Sequence, residues 1–335
     1  MRNGLRIFAL LALFLCAVAG AEARVLVDMA GRRIETPDRV ERVVTLGAVP
    51  VLNGFLFALG EGEEIVNGLP PELARKFQYV FAPGLAGKPI VQGGDKGLAV
   101  EDVIALKPDL VLTMDVATAQ KLQEVGLPVV VLRWTAPEDV KELMTLLGSV
   151  FDKEKEAADY AGHFDAAMKR ACPTAAGEDS LRRPRVLYVN LRRLTQPHRI
   201  ADWWIAKAGG RSLTDDGRQQ ESVTFSLEQL LSWNPEIMIV ADQGEMKFAY
   251  DDPRFKDVAA VRNRRVYVAP AGAHLWANRT VEQPLTVLWA ASVIHPECVS
   301  RDELKKEMAA FYARFFKKSL SSDQLDEILA GSVGR

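Results

Sequence analysis

Four arginines and a handful of aromatic and imidazole side chains carry most of the chemistry this chain offers. Arg133, Arg192, Arg193 and Arg279 each follow an apolar run, and their planar guanidinium forks match carboxylates and phosphate-like oxyanions. Each also has a plainer reading as surface decoration. Arg279 is expected to open a helix, whose free amides add to the attraction for an anion. Trp134 and Trp276 supply flat apolar walls for a planar or bulky ligand, and one of Trp203 and Trp204 can do the same. The other belongs in the core, because neighbours on a helix cannot face one way. His274 stands at a cleft position as well. With His163, His198 and His295 it completes the histidine count, and no two lie at a metal-binding spacing, so neither a metal site nor a cofactor is expected. His163 falls on a helix, and His295 before Pro296 reads as a helix end.

Catalytic signatures are missing. The chain contains no Gly-x-Ser-x-Gly elbow, no Gly-x-x-x-x-Gly-Lys-Ser/Thr loop and no Gly-x-Gly-x-x-Gly fingerprint. Gly93-Gly-Asp-Lys-Gly97 is glycine-rich, but nothing nearby completes a nucleotide motif. These residues point to binding without turnover, with a secreted enzyme as the lower alternative.

Candidate binding residues need a frame, and the chain repeats one. Residues 99–115 (AVEDVIALKPDLVLTMD) return without gaps as 226–242 (SLEQLLSWNPEIMIVAD), which places Glu101 and Glu228 at equivalent positions 127 residues apart. Each copy reads as a short amphipathic helix, a Pro-acidic turn and an apolar strand. Two similar lobes follow, with a cleft between them, and a length of 335 residues suits two domains. In the first lobe, strands at 43–46, 65–67, 110–113 and 129–132 alternate with helices at 49–59, 100–106 and 117–125, behind a hairpin that turns at Ala30-Gly31. In the second, strands at 186–189, 237–241 and 266–269 alternate with helices at 201–208, 226–232 and 255–261, before helices at 280–294, 301–317 and 321–330. Such alternation predicts parallel sheets covered by helices. A helical stretch from 137 to 171, interrupted near Gly148, joins the lobes. The expected division is a leader at 1–23, an N-terminal lobe at 24–148, a connector helix with its exit loop at 149–183 and a C-terminal lobe at 184–335. In parallel sheets ligands bind beyond the carboxyl ends of the strands, where the arginines and tryptophans above are found.

Arg2 and Arg6 precede an apolar run of about 13 residues from Ile7 to Ala19, which ends in small residues through Ala23. The run is too short to span a membrane comfortably and reads as a cleaved export signal, with cleavage expected between Ala21 and Ala23. Cys16 lies inside it behind Leu15 rather than a small residue, which argues against lipidation. Outside the cytoplasm a bridge between Cys172 and Cys298 is chemically permitted, and two separate buried thiols are equally compatible. A formal net charge of −2 argues against nucleic acid as a partner.

Several segments together resemble one family: the extracytoplasmic substrate-binding proteins of ABC importers for iron–siderophore complexes, haem and cobalamin. They are residues 25–37 and 39–46, the two repeat copies from Glu101 and Glu228, and the Asp252-to-Val268 stretch. The resemblance implies two Rossmann-like α/β lobes joined by one long helix, modest hinge motion, and a monomer that serves a permease dimer and its cytoplasmic ATPase from the periplasm. It also implies that Glu101 and Glu228 dock into arginine-containing pockets of the two permease subunits. Taken on their own, both are solvated first-turn acids favoured by the helix dipole. The stretch from Trp276 to Ala291 is similar to members that take iron chelates and to relatives that bind molybdate. A ferric siderophore is the expected ligand, with haem, a corrinoid or an oxyanion as alternatives.

Overall fold

A computed structural model describes residues 24–93, 97–171 and 183–331. The expected export signal, Cys16 and Cys172 lie outside these residues. Cys298 is disulfide-bonded.

The first lobe opens with an antiparallel hairpin of β1 (Arg24–Val27) and β2 (Arg33–Thr36), turned through Gly31. The buried Asp28 carboxylate fastens it to the sheet, accepting from the Val131 amide at 3.0 Å and pairing with Arg32 at 2.7 Å. A three-stranded parallel sheet follows, formed by β3 (Val43–Thr45), β4 (Leu110–Thr113) and β5 (Val129–Val131) in that order. All three strands are buried along their length, as parallel strands covered on both faces must be. Around them lie α1 (Val49–Leu59), α2 (Lys76–Phe81), α3 (Val100–Ala105) and α4 (Val116–Glu124). Ile65, expected to begin a strand, contributes a single parallel bridge to Val43.

Two helices, α5 (Asp139–Phe151) and α6 (Glu154–Arg170), lead across. The interruption falls at Asp152, which takes a left-handed conformation, rather than near Gly148. The second lobe carries β6 (Arg185–Tyr188), β7 (Thr195–Gln196), β8 (Arg211–Ser212), β9 (Val223–Thr224), β10 (Ile237–Val240) and β11 (Val266–Val268). Its main sheet is parallel in the order β11-β10-β6-β8, while β7 and β9 form a small antiparallel pair. The covering helices are α7 (Ile200–Lys207), α8 (Leu227–Trp233), α9 (Gln243–Asp251), α10 (Ala259–Arg262), α11 (Gln283–Ile294), α12 (Arg301–Arg314) and α13 (Ser322–Leu329). The helix expected over 255–261 is broken, because Asp252 caps a tight turn at Pro253–Phe255 and α10 starts afresh.

One apolar cluster runs through both lobes, flanked by a smaller cluster confined to each. The C-terminal helices return to the first lobe to complete it. Tyr312 stacks on Phe81 at 5.1 Å, and Phe316 meets Phe81 at 4.7 Å and Phe57 at 5.8 Å. From the middle, Tyr160 of α6 donates to the Val281 carbonyl at 2.6 Å. Burying each such ring is worth about 1.5–3 kcal/mol, so a wide opening that exposed several would be costly. The packing favours a small hinge.

Candidate ligand-binding site between the lobes

The segment from Ala269 to Glu282 runs between β11 and α11 and is braced from both lobes. From the first lobe, Thr45, Asn53 and Gln78 form a buried chain that ends where Gln78 Nε2 donates to the Ala273 carbonyl at 2.7 Å. From the second, the fully buried Glu282 carboxylate accepts from the Ala273 and His274 amides at 3.0 and 3.2 Å and from the Tyr312 hydroxyl at 2.6 Å. Burial pushes the Glu282 carboxyl up in spite of these bonds. A Cβ at Gly272 would lie 1.9 Å from a Glu282 oxygen, so only glycine lets the loop pass this carboxylate.

The braced segment presents His274, Asn278 and Arg279. His274 Nε2 lies 3.1 Å from Asn278 Nδ2. Burial, then the nearby charge of Arg75 and the His198 ring, lower the His274 imidazole to about 3, so it is neutral at physiological pH. His274 Nδ1, Asn278 Oδ1 and Arg279 Nε are buried without a hydrogen-bond partner in the protein. Buried polar atoms are normally satisfied, and a cluster of exceptions on one rigid loop is what a ligand would complete.

A cavity of about 510 Å³ opens beside Arg279. Its first-lobe wall is Thr135, Ala136 and Pro137, which follow β5, and its second-lobe wall comes from α7 and residues 215–219. Trp203 lines it, stacked on Phe164 of α6 at 6.1 Å, while Trp204 is fully buried. Arg199, Arg218 and Arg279 bring three guanidinium groups and Asp202 and Asp215 two carboxylates. Arg218 is committed to the buried Asp202 at 2.8 Å and to the Thr214 carbonyl, which ties the 213–219 loop to α7. Arg279 reaches across the cleft, with Nη2 3.4 Å from the Thr135 carbonyl oxygen.

Of the residues the sequence nominated for the ligand, Arg279 reaches this cavity and His274 stands on the same braced segment. Trp134 and Trp276, nominated as walls, are packed in the core instead. Trp134 meets Phe55 edge-on at 5.4 Å, because side chains alternate along the chain and its turn faces inward. Arg192 does not line this cavity; it pairs with the buried Glu245 at 3.1 Å and lies over the Phe248 ring at 4.3 Å. Arg193 is exposed on a turn pinned by Asn190, and Arg133 is exposed beside Trp134. After β10, Asp242 caps α9 directly, its side chain accepting from the Glu245 amide. Arg199, Arg218 and His198 were not nominated: His198 and Arg199 lie at the entry to α7, well past the end of β6, and Arg218 lies on the loop that runs from β8 to β9, so neither place is just beyond a strand of the main sheet where the strand-end rule looks. Among the described residues no group of three or more potential metal ligands occurs.

Glu101 and Glu228 are exposed on the first turns of α3 and α8. Three residues after each stands an exposed aliphatic side chain, Ile104 and Leu231. A hydrogen bond from its own backbone amide, then one from Ser226, hold the Glu228 carboxyl below its ordinary value.

The profile of a family described as periplasmic binding protein matches residues 70–273. The molybdate-binding protein MolA of Haemophilus influenzae is 22% identical over 333 residues, covering 90% of this chain and 93% of that protein. Its solved structure with bound molybdate superposes with a TM-score of 0.77, covering 89% of this chain and 99% of that one at 22% identity. A periplasmic solute-binding protein from Veillonella parvula gives a TM-score of 0.79 at 24% identity, covering 92% and 98%. A vitamin B12-binding protein of Vibrio vulnificus is 20% identical over 273 residues, covering 74% of this chain and 88% of that one. The two-lobed α/β fold is shared with these structures.

Proposed function

The chain belongs to the periplasmic binding protein family, and from that premise we propose that it is the periplasmic solute-binding component of an ABC importer for an anionic ferric siderophore. The ligand is captured between the lobes and handed to a membrane permease. The lobes are placed at 24–148 and 184–335, around a connector at 149–183.

One observation carries the ligand assignment: the inter-lobe cavity combines about 510 Å³, the face of Trp203 and the guanidinium groups of Arg199 and Arg279. A bare tetrahedral oxyanion amounts to four water-sized oxygens, roughly 120 Å³, and would leave most of that space unfilled. An organic chelate that carries negative charge matches the volume and offers acid groups to the guanidinium groups of Arg199 and Arg279. The second reading is an oxyanion, favoured by the near full-length likeness to the molybdate-binding protein and by the polar atoms of His274, Asn278 and Arg279. Glu101 and Glu228 are assigned to permease docking, each with an aliphatic neighbour to pack beside a basic pocket. Two equivalent contacts on a pseudo-two-fold molecule suit a two-fold partner.

Native mass spectrometry of the exported protein against ferric siderophores, haemin, cobalamin and molybdate tests the assignment. A one-to-one complex with a negatively charged ferric chelate is expected. Binding of cobalamin with every anion ignored would overturn it, and binding of molybdate alone would select the second reading.

A further inference from the structure

Arg279, the guanidinium best placed for an anion, already holds one. Glu221 grips it in a fork-to-fork pair, with Nη1 to Oε2 and Nη2 to Oε1 both at 2.7 Å. The two partners are unlike in setting: the Arg279 side chain is 14% exposed and that of Glu221 is 51% exposed. A well-buried, rigidly mounted cation is thus satisfied by an acid that comes from an exposed loop. That loop has a clamped base and an exposed tip. Arg218 clamps the base to Asp202 and Thr214, whereas residues 219–222 are exposed up to β9. Burial works against charge on Glu221, but Arg279 first, then Arg199 and His198, outweigh it and hold the carboxyl below its ordinary value. The carboxylate is therefore ionised at neutral pH, between the guanidinium groups of Arg279 and Arg199 from two segments.

This is the bidentate geometry that an acid group of a ligand would use on Arg279. We infer that Glu221 is a specificity-determining residue, an internal carboxylate that occupies the anion position on Arg279 until the acid group of a ligand displaces it. The inference rests on the anionic-ligand reading above. A half-exposed carboxylate gains little net stability from such a pair, so a better bidentate anion replaces it readily, while a neutral ligand has nothing to offer in exchange. Once displaced, Glu221 leaves the Arg279 charge to the ligand, and the 219–222 tip swings about the Arg218 anchor. The population of protein with a free Arg279 then scales the apparent affinity for every anion.

The test uses the full mature chain, with molybdate and a ferric tris-catecholate as probes and calorimetry at fixed ionic strength. Glu221→Gln should bind whichever anion the wild type binds about fivefold tighter or better, as removal of an internal competitor requires. Arg279→Ala should bind it at least about tenfold more weakly. Asp257→Asn removes the same charge from an exposed position outside the cavity wall and should stay within about twofold of wild type, which separates displacement from a general charge effect. Hydrogen exchange of the ligand-free proteins supplies a readout that needs no ligand: the amides of 219–222 should exchange faster in Glu221→Gln and in Arg279→Ala. Weaker or unchanged anion binding by Glu221→Gln, or unchanged exchange at 219–222, overturns the inference and leaves the anionic-ligand reading standing. Failure of the wild type and Glu221→Gln to bind either anion, with cobalamin bound by both, overturns the two together.

Discussion

Asp109 and Glu236 stand at the same place in the two copies of the repeated segment and make the same bonds. Asp109 accepts from the Glu41 and Arg42 amides at 2.9 Å, and Glu236 accepts from the Arg185 amide at 2.9 Å, so each acid ties the head of its lobe's first parallel strand. Arg42 and Arg185 answer alike, donating to the carbonyls of Lys107 and Asn234. Those two residues end α3 and α8 with positive φ, at 48° and 44°. Beyond the strands the copies begin alike, with Asp115 capping α4 and Asp242 capping α9, and then part. Three residues on, Thr118 in the first lobe corresponds to the buried Glu245 in the second, which also accepts from the Leu191 amide at 2.7 Å and holds Arg192. The comparison teaches that the amino ends of the strands form a duplicated scaffold, whereas the carboxyl ends, where ligand is expected, were free to diverge.

The equivalence of the two copies is broken most severely at their exposed acids. Glu101→Ala combined with Glu228→Ala should lower uptake roughly 100-fold or more, each single change about tenfold, with ligand affinity intact. Transport and binding assays on the same variants check this, and normal uptake by the double variant would remove the docking role. A smaller contrast lies at the helix ends. Lys107→Gly relieves a left-handed lysine and should stabilise by about 0.5–1 kcal/mol. Asn234→Gly should instead cost about 1 kcal/mol, because asparagine tolerates that conformation and its Oδ1 accepts from the Ala259 amide at 2.8 Å. Opposite shifts in denaturation midpoint would show that the two turns share geometry but not support.

The smallest effect concerns the helix starts, where Ser226 caps α8 and Ala99 cannot cap α3. Because the folded Glu228 carboxyl is depressed, its stabilising contribution is full above the unfolded value near 4.5 and is lost as pH falls through the lower folded value. Ser226→Ala should move the Glu228 titration upward in a carboxyl NMR experiment and narrow that window.

Much of the scaffold was legible because its signals are local. Helix α1 spans the expected 49–59, the hairpin turns at Ala30-Gly31, and α13 starts next to the expected 321, where Ser321 and Gln324 form a capping box. Helix α9 was missed because Gln243 to Asp251 has little apolar periodicity and depends on contacts with β10 and β11. The site was less legible. Residue type picked out Arg279 and His274, but the same criterion nominated Arg192 and Trp276, whose partners Glu245 and the inter-lobe core lie far away in sequence or on another element.

By itself the amino-acid sequence determined the duplicated frame, the parallel sheets and the positions of Glu101 and Glu228, because helix periodicity, turn chemistry and repeated spacing are written in neighbouring residues. Only the tertiary structure decided which arginine faces the cavity, which of Trp203 and Trp204 lines it, and that Glu221 holds Arg279. Those outcomes depend on segments brought together from Thr135, α7, the 213–222 loop and the 269–282 segment, and the direction of a long side chain is set by whichever charge or apolar surface packing places within its reach.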